Sequence, residues 1–360
     1  MTINDLFVIN SEHLNALTDE TTSLTFSEFF NQRVDTIDLK NVTHLTFGRD
    51  FNQSLAAVNF KNVTHLTFGS WSNQDFDALD FKNITHLTLG YWFNKDLNAV
   101  DFKNVTHLTF GYWFNQNLDA VDLKNIKSLT FGFYFNQSLD AVDLKNITHL
   151  TFGHEFNQNI DNVDFNNVTH LTFGNRFNHS LNAVNLKKVT HLTLSSQFNH
   201  SLDYVDLKNI THLTFGFNFN QSLDAVDLKN ITHLTFGYDF NQSLDAVDLK
   251  NVTHLTFGDS FNQELGDIAF TEYHIVLSKK YWNNPVIKLR KKLDSLSVFP
   301  GAHVYNDLCP VCVDPEETRN LIVLSCGHAF CRSCLLASFH QKITSCMICR
   351  ATDVQYFRKH

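Results

Sequence analysis

Seven cysteines and one histidine near the carboxyl end follow the pattern Cys309-x2-Cys312-x13-Cys326-x-His328-x2-Cys331-x2-Cys334-x11-Cys346-x2-Cys349. Thiolate and imidazole are the donors that tetrahedral zinc prefers, and CxxC pairs are able to close over a single ion. Eight such donors in this order are enough for two zinc sites. All 7 cysteines of the chain lie in this stretch, which argues against a disulfide framework spread through a secreted protein. It favours a metal-bound module in a reducing compartment.

Upstream of this cluster, residues of chemical interest come in ladders. The heptamer VTHLTFG at Val42 recurs at Val63, Ile84, Val105, Ile126, Ile147, Val168, Val189, Ile210, Ile231 and Val252, every 21 residues. A degenerate unit at Thr21 extends the register backwards, so the repeats run from about 21 to 272. In one unit Leu45 and Phe47 alternate with His44, Thr46 and Gly48, which predicts a short strand with an apolar inner face. Ala57 to Phe60 has the same alternation and predicts a second extended segment. No window fits a normal helix, so each unit reads as one coil of a solenoid.

Stacked coils would align identical residues. An unbroken leucine ladder from Leu24 to Leu255 is the predicted core, and an equally complete asparagine ladder from Asn31 to Asn262 is placed to satisfy backbone groups where each coil bends. Ten of the 13 glycines stand at the Gly48 position, where a tight or positive-φ bend is expected, although Ser27 and Ser195 replace them in two units. These glycines lack phosphate-loop spacing. Ten histidines, His44 to His254, form a further ladder broken at Ser128. Two readings stand side by side: a solvated His/Thr face, and a metal- or pH-responsive strip. Neither a Ser-His-Asp set nor a carboxylate pair stands out from the repeat consensus.

The whole chain has 360 residues, 43% of them hydrophobic and 18% charged, with a net charge of -9. These values exclude a disordered or collagen-like polymer. Residues 1 to 270 hold 16 Lys+Arg against 30 Asp+Glu, or -14, whereas residues 271 to 360 hold 12 against 7, or +5. An acidic repeat body is a poor surface for nucleic acid. No stretch of about 18 apolar residues occurs and the start lacks a secretory pattern, so the expected location is intracellular and soluble, with no membrane partner. Between repeats and cysteines, Pro285, Val286, Leu289, Leu293 and Leu296 predict an amphipathic capping helix. Lys288, Arg290, Lys291 and Lys292 lie within it, either on a solvated cap face or as a contact for nucleic acid or membrane.

The repeats resemble FNIP repeats, a leucine-rich-repeat-like family of slime moulds and giant DNA viruses, although FNQ-type segments stand here where that family often continues with Pro. The resemblance implies a protein-interaction solenoid of giant-virus or amoebal type. The cysteine-rich end resembles a RING finger of the C3HC4 class. In that family's cross-brace, Cys309, Cys312, Cys331 and Cys334 would hold one zinc, and Cys326, His328, Cys346 and Cys349 the other, both ions being structural. The expected fold is thus mainly β: about twelve 21-residue coils of leucine-rich-repeat-like solenoid, then a small α+β cross-brace RING zinc finger. The expected division is an N-terminal cap (1 to 20), the repeats (21 to 272), a cap and linker (273 to 308), the zinc finger (309 to 350) and a tail (351 to 360).

The RING resemblance also implies a ubiquitin-conjugating enzyme as partner, contacting Val311, Leu336, Phe339 and Ile348. Arg350 matches the family's linchpin, which touches both that enzyme and ubiquitin. Met347 departs from the Pro that many active members carry after the seventh ligand. The expected function is a ubiquitin ligase whose repeats recruit a protein substrate. The alternative is a non-catalytic zinc-containing scaffold.

Overall fold

The computed structural model describes residues 5–8, 11–76, 79–263, 274–276, 310–311, 321–324, 328–341, 343–347, 350 and 356–358. The predicted amphipathic helix from Pro285 to Leu296 lies outside them. The chain divides into two compact units, 1–258 with 265–276, and 259–264 with 277–360.

The first unit is built on a single parallel sheet of 14 strands in strict sequence order. β1 (Asp5–Val8) and β2 (Ser23–Phe26) are followed by β3 (His44–Thr46), and one three-residue strand per repeat continues to β13 (His254–Thr256) and β14 (His274–Val276). From β3 to β13 each strand pairs in register with the one 21 residues before it, as in Leu45 against Leu66. The repeats therefore supply twelve strands, and one further strand extends the sheet at each end. At the N-terminal end β1 pairs with β2 from Asp5 opposite Ser23 to Val8 opposite Phe26. At the other, His274, Ile275 and Val276 pair with His254, Leu255 and Thr256. Both terminal strands fall in segments expected only as caps.

The rest of each coil is made of turns. In the coil of Gly132, Phe135 N–H donates to Gly132 O at 3.3 Å, Val142 N–H to Leu139 O at 3.0 Å and Ile147 N–H to Leu144 O at 3.0 Å. These are three i to i+3 corners. The expected second extended segment is thus a correction: the residues equivalent to Ala57–Phe60 lie between two turns. Apolar side chains at the corners point inward where the strand leucine does, so Phe131, Phe135, Leu139, Leu144, Ile147 and Leu150 are all 4% exposed or less. Phe135 stacks on Phe131 at 4.0 Å between ring centroids and on Phe114 and Phe156 at 6.2 Å. A coil this small buries little by itself, and its core is completed by its two neighbours.

The asparagine ladder does what the sequence suggests. Asn136 Oδ1 accepts the Asn157 backbone N–H at 2.9 Å and the Gln158 side-chain amide at 3.0 Å. A second asparagine ladder works in the opposite sense: the amide of Asn125 donates to Lys103 O, 22 residues back, at 2.7 Å. The glycines have a different reason from the one expected. None of the ten in the array has a positive φ; instead an added Cβ at Gly132 would sit 1.7 Å from Gly111 O. Close approach of successive coils selects glycine here.

The second unit contains a three-stranded antiparallel sheet, β15 (Leu321–Leu324) flanked by β16 (Ala329–Cys331) and β17 (Tyr356–Arg358). Helix α1 (Arg332–His340) follows β16 directly.

Candidate metal centre and exposed ladders

The hairpin of β15 and β16 and the start of α1 position the described donors of the cysteine cluster. Leu324 N–H donates to His328 O at 2.9 Å and ties β15 to the residue just before β16. Cys331 ends β16 with no exposed surface. The Cys334 N–H, in the first turn of α1, points at Cys331 Sγ at 3.4 Å. Such N–H to sulfur contacts stabilise a thiolate. Farther along, Cys346 Sγ lies 3.7 Å from His328 Nδ1 although 18 residues separate them.

That last distance bears directly on zinc. With Zn–S about 2.3 Å and Zn–N about 2.0–2.1 Å, two donors on one tetrahedral ion stand roughly 3.6 Å apart. The pair fits one shared ion without rearrangement. No three His, Cys, Asp or Glu groups converge among the described residues. Cys309, Cys312, Cys326 and Cys349 lie outside them.

The expected partner contacts separate into different environments. Val311 is 54% exposed. Leu336 is only 6% exposed and Leu335 4%, so Leu336 packs inward with its neighbour on α1. The Phe339 side chain and Ile348 lie outside the described residues. Arg350 is exposed and holds φ at 61°, with its N–H donating to Cys346 O at 2.9 Å. A left-handed backbone is uncommon for a residue with a Cβ.

On the solenoid the histidine ladder forms two stacked runs, with centroids 4.0–4.2 Å apart, on either side of Ser128. Each preceding threonine hydroxyl lies near two acceptor-capable groups: Thr64 Oγ1 donates to Thr43 O at 3.2 Å and sits 2.9 Å from His65 Nδ1. Thr43 O also accepts the Thr64 and His65 backbone N–H groups at 2.9 and 3.0 Å, so the direction of the Thr64–His65 hydrogen bond follows the imidazole tautomer. Burial, and then the charges of His86, His44 and His107, pull the His65 pKa down to about 4. His86, His107, His170 and His212 are lowered for the same reasons. Parallel stacked rings direct their nitrogens in parallel, whereas one zinc needs its donors to converge. The geometry therefore favours a neutral, stacked face over a metal strip.

A feature that consensus reading missed lies just after the glycine ladder. The two positions following each glycine vary from coil to coil, and in the third to fifth repeat coils they read Trp71, Tyr91-Trp92 and Tyr112-Trp113, then Phe133-Tyr134. They build two surface columns of stacked rings. Trp71, Trp92, Trp113 and Tyr134 follow one another at 5.3, 5.1 and 4.1 Å. Tyr91, Tyr112, Phe133 and His154 follow at 4.4, 4.6 and 4.2 Å. The signal was present in the sequence as a local run of aromatics at two non-consensus positions.

No helix among the described residues is long and apolar enough to cross a membrane. Residues 307–350 match the family described as Ring finger domain. RING domains bind zinc, and both a RING and a repeat solenoid are protein-interaction modules. An Arabidopsis thaliana protein, named as SWI/SNF-related matrix-associated actin-dependent regulator of chromatin subfamily A member 3-like 1, is 36% identical over 47 residues, which is 13% of this chain and 5% of that protein. The crystal structure of CroV588, described as a novel circular LRR protein, superposes with a TM-score of 0.60 at 34% identity, covering 71% of this chain and 46% of that one. This chain thus spans a small part of the first and under half of the second. It is a mostly β parallel solenoid of about 11–12 coils, similar to a leucine-rich-repeat neighbour, followed by a small C-terminal RING domain.

Proposed function

We propose that this protein is a RING-type ubiquitin ligase with an FNIP-type array that holds a protein substrate. The observation that carries the reading is the eight-donor Cys/His spacing inside the Ring finger match over 307–350, joined on one chain to a long interaction solenoid. Cys309, Cys312, Cys331 and Cys334 hold one zinc, and Cys326, His328, Cys346 and Cys349 the other. The 3.7 Å approach of Cys346 to His328 supports the second set. The N–H to sulfur contact of Cys334 with Cys331 supports the first. Both ions are structural and contribute folding free energy to a domain too small for a large core.

In this reading no residue of the chain forms a covalent intermediate. A substrate lysine amine attacks the thioester carbonyl carbon of ubiquitin carried by a conjugating enzyme. The new C–N isopeptide bond forms, the C–S bond breaks, the conjugating enzyme's thiolate leaves and the amine gives up a proton to solvent. The ligase lowers the barrier by holding the thioester in an attack-ready orientation. Exposed Val311 offers apolar surface to the conjugating enzyme, and Arg350 extends from its left-handed turn toward enzyme and ubiquitin.

The test is single-turnover discharge of ubiquitin from charged conjugating enzymes to free lysine, with the zinc-loaded full chain. Arg350→Gly is the informative variant, because glycine keeps the φ of 61° without strain whereas alanine does not. Acceleration by the wild type that falls at least about tenfold in Arg350→Gly, at unchanged zinc content, is the expected result. No acceleration across a broad panel sinks the ligase reading. It leaves a zinc-containing scaffold, the reading that Met347 in place of the common Pro favours.

A further inference from the structure

The aromatic column that starts at Tyr91 has a missing member. Its register runs Arg49, Ser70, Tyr91, Tyr112, Phe133 and His154, and from Tyr91 onward each side chain covers the face of the next at 4.2–4.6 Å. At Ser70 the side chain is too short to continue the stack. What remains is an open recess of about 450 Å³ lined by Arg49, Ser70, Trp71, Tyr91 and Trp92. That volume is within the range of sites that take small groups. Trp71 is 51% exposed and Tyr91 and Trp92 are each 40% exposed, an unusual cluster of large rings at a surface.

Two walls of the recess are rigid. Backbone bonds from Trp92 N–H to Ser70 O at 2.9 Å and from Trp113 N–H to Tyr91 O at 3.0 Å fix the columns to the coil stack. Tyr91 is further held by Tyr112 on one face and by the edge-on Trp92 at 5.3 Å. Opposite, Arg49 is tied to Asp50 at 2.9 Å and to Glu28 at 3.6 Å, with its guanidinium 5.2 Å from the Phe29 ring. Arg49 and Tyr91 stand two coils apart, roughly 9–10 Å at the spacing of paired strands. That separation leaves room for one planar ring over Ser70.

We propose that this recess binds an aromatic side chain, tryptophan, tyrosine or phenylalanine, presented by an extended, basic segment of a partner protein. The inserted ring completes the column. It stacks on Tyr91 as Tyr112 does from the other side, and it meets the flat guanidinium of Arg49 in a cation–π contact. The flanking chemistry follows from charge. Two carboxylates, Glu28 and Asp50, accompany the single guanidinium at the rim, and residues 1 to 270 carry 30 acidic against 16 basic groups. Lysine or arginine beside the anchor is attracted, and a phosphate backbone is repelled. The ring faces of the remaining column are consumed by mutual stacking, so the surface is not a platform for successive sugars or bases.

This site deepens the substrate-recruitment reading above and rests on it only for the partner's identity. Its test is binding, without any ubiquitin transfer, so the two can fail separately. Fluorescein-labelled KKAWAKK, KKAAAKK and DDAWADD peptides and a fluorescein-labelled dT8 oligonucleotide are titrated with the full chain. The variant is Ser70→Tyr, which puts into this coil the residue that the next two coils already carry and so fills the recess from within. KKAWAKK is expected to bind at least about tenfold more tightly than the other three, with a loss of at least about tenfold in Ser70→Tyr. The thermal midpoint of Ser70→Tyr should equal or exceed that of the wild type, since it adds a stacked ring. Equal binding of the tryptophan and alanine peptides, or undiminished binding to Ser70→Tyr, overturns the proposal. Tighter binding of dT8 than of KKAWAKK, lost in Ser70→Tyr, overturns the peptide as occupant and assigns the recess to a nucleobase.

Discussion

Replacing Gly132 by alanine should destabilise the solenoid, against the usual direction of that change. Where the backbone permits it, Gly to Ala stabilises by about 0.4–1 kcal/mol, because the unfolded chain loses freedom. Here φ is not the obstacle; the new Cβ would lie 1.7 Å from Gly111 O and 2.7 Å from its carbonyl carbon. Ordinary contact needs about 3.5 Å, so the two coils must part by roughly 1.5–2 Å at this point. Flanking the contact are the bonds from Phe110 N–H to Thr130 O at 2.9 Å and from Tyr134 N–H to Tyr112 O at 3.0 Å. A shift of that size takes both out of hydrogen-bonding range. Two lost bonds at about 1 kcal/mol each, with about 1–3 kcal/mol of overpacking, give a cost of about 3–5 kcal/mol. Ser195 supplies the control, because that position already accommodates a Cβ at 1% exposure. Its hydroxyl donates to Phe177 O and accepts Phe198 N–H at 2.9 Å, so Ser195→Ala should cost only about 1–2 kcal/mol. Urea unfolding of the full chain followed by far-UV circular dichroism reads the difference as midpoints, which suit repeat arrays better than extrapolated energies. A Gly132→Ala protein as stable as wild type, or hurt no more than Ser195→Ala, would refute the close-approach account.

Three further expectations use the same structure. Phe135→Ala removes a fully buried ring that touches three other phenylalanines; the loss should be about 3–5 kcal/mol, against about 1 kcal/mol for Phe135→Leu, in the same urea assay. The histidine ladder should make the solenoid acid-sensitive. Since His65 titrates at about 4 when folded against 6.5, the unfolded chain takes up the proton first, so stability is complete above pH 6.5 and is lost as pH falls through 6.5 toward 4. The difference is worth roughly 3 kcal/mol at face value and about 1 kcal/mol after screening of a partly exposed ring; His65→Ser, copying the natural Ser128, should reduce the drop in thermal midpoint between pH 7 and 5, and an unchanged drop would discount the ladder. Finally, purified zinc-loaded protein should contain two zinc ions per chain by elemental analysis, and chelation at pH 7 should abolish amide protection in α1 and β16 by hydrogen exchange while leaving the coil strands protected. A single ion, or loss of protection in both units together, would contradict separate folding of a two-zinc module.

The parts of this fold that could be read from sequence are those in which each residue meets a copy of itself. Leu45 lies beside Leu66 and Asn136 accepts from Asn157, so a period of 21 is at once the sequence pattern and the contact map. The same logic hides the rest. Glycine was expected for its φ because a residue's own backbone is visible in one repeat, whereas the carbonyl that excludes its Cβ belongs to the coil before. The strands at Asp5–Val8 and His274–Val276 escaped because they pair through backbone groups, which tolerate departure from the consensus. Leu336, 6% exposed on α1, could not be placed from sequence, because apolar residues on a short helix do not declare which side faces the core.

Self-complementarity also explains where function must be sought. A position that repeats in every coil is committed to holding the stack together, as the outward His65 shows: its Nδ1 is used by Thr64, its faces by His44 and His86. Such a residue has no single place at which to recognise a partner. Individual recognition needs a break in the translation, and the array has few. Ser128 interrupts the histidines and Ser195 the glycines, and the Ser195 hydroxyl is taken up by Phe177 O and Phe198 N–H. At Ser70 the interruption falls beside Tyr91 and Trp92, where the period has already been abandoned in favour of large exposed rings. A one-dimensional crystal of side chains presents its distinctive chemistry at its defects; Ser196 likewise precedes exposed, stacked Phe217 and Tyr238, but there Asn175 stands where Arg49 stands beside Ser70, so it is at Ser70 that an uncovered aromatic face lies near a guanidinium.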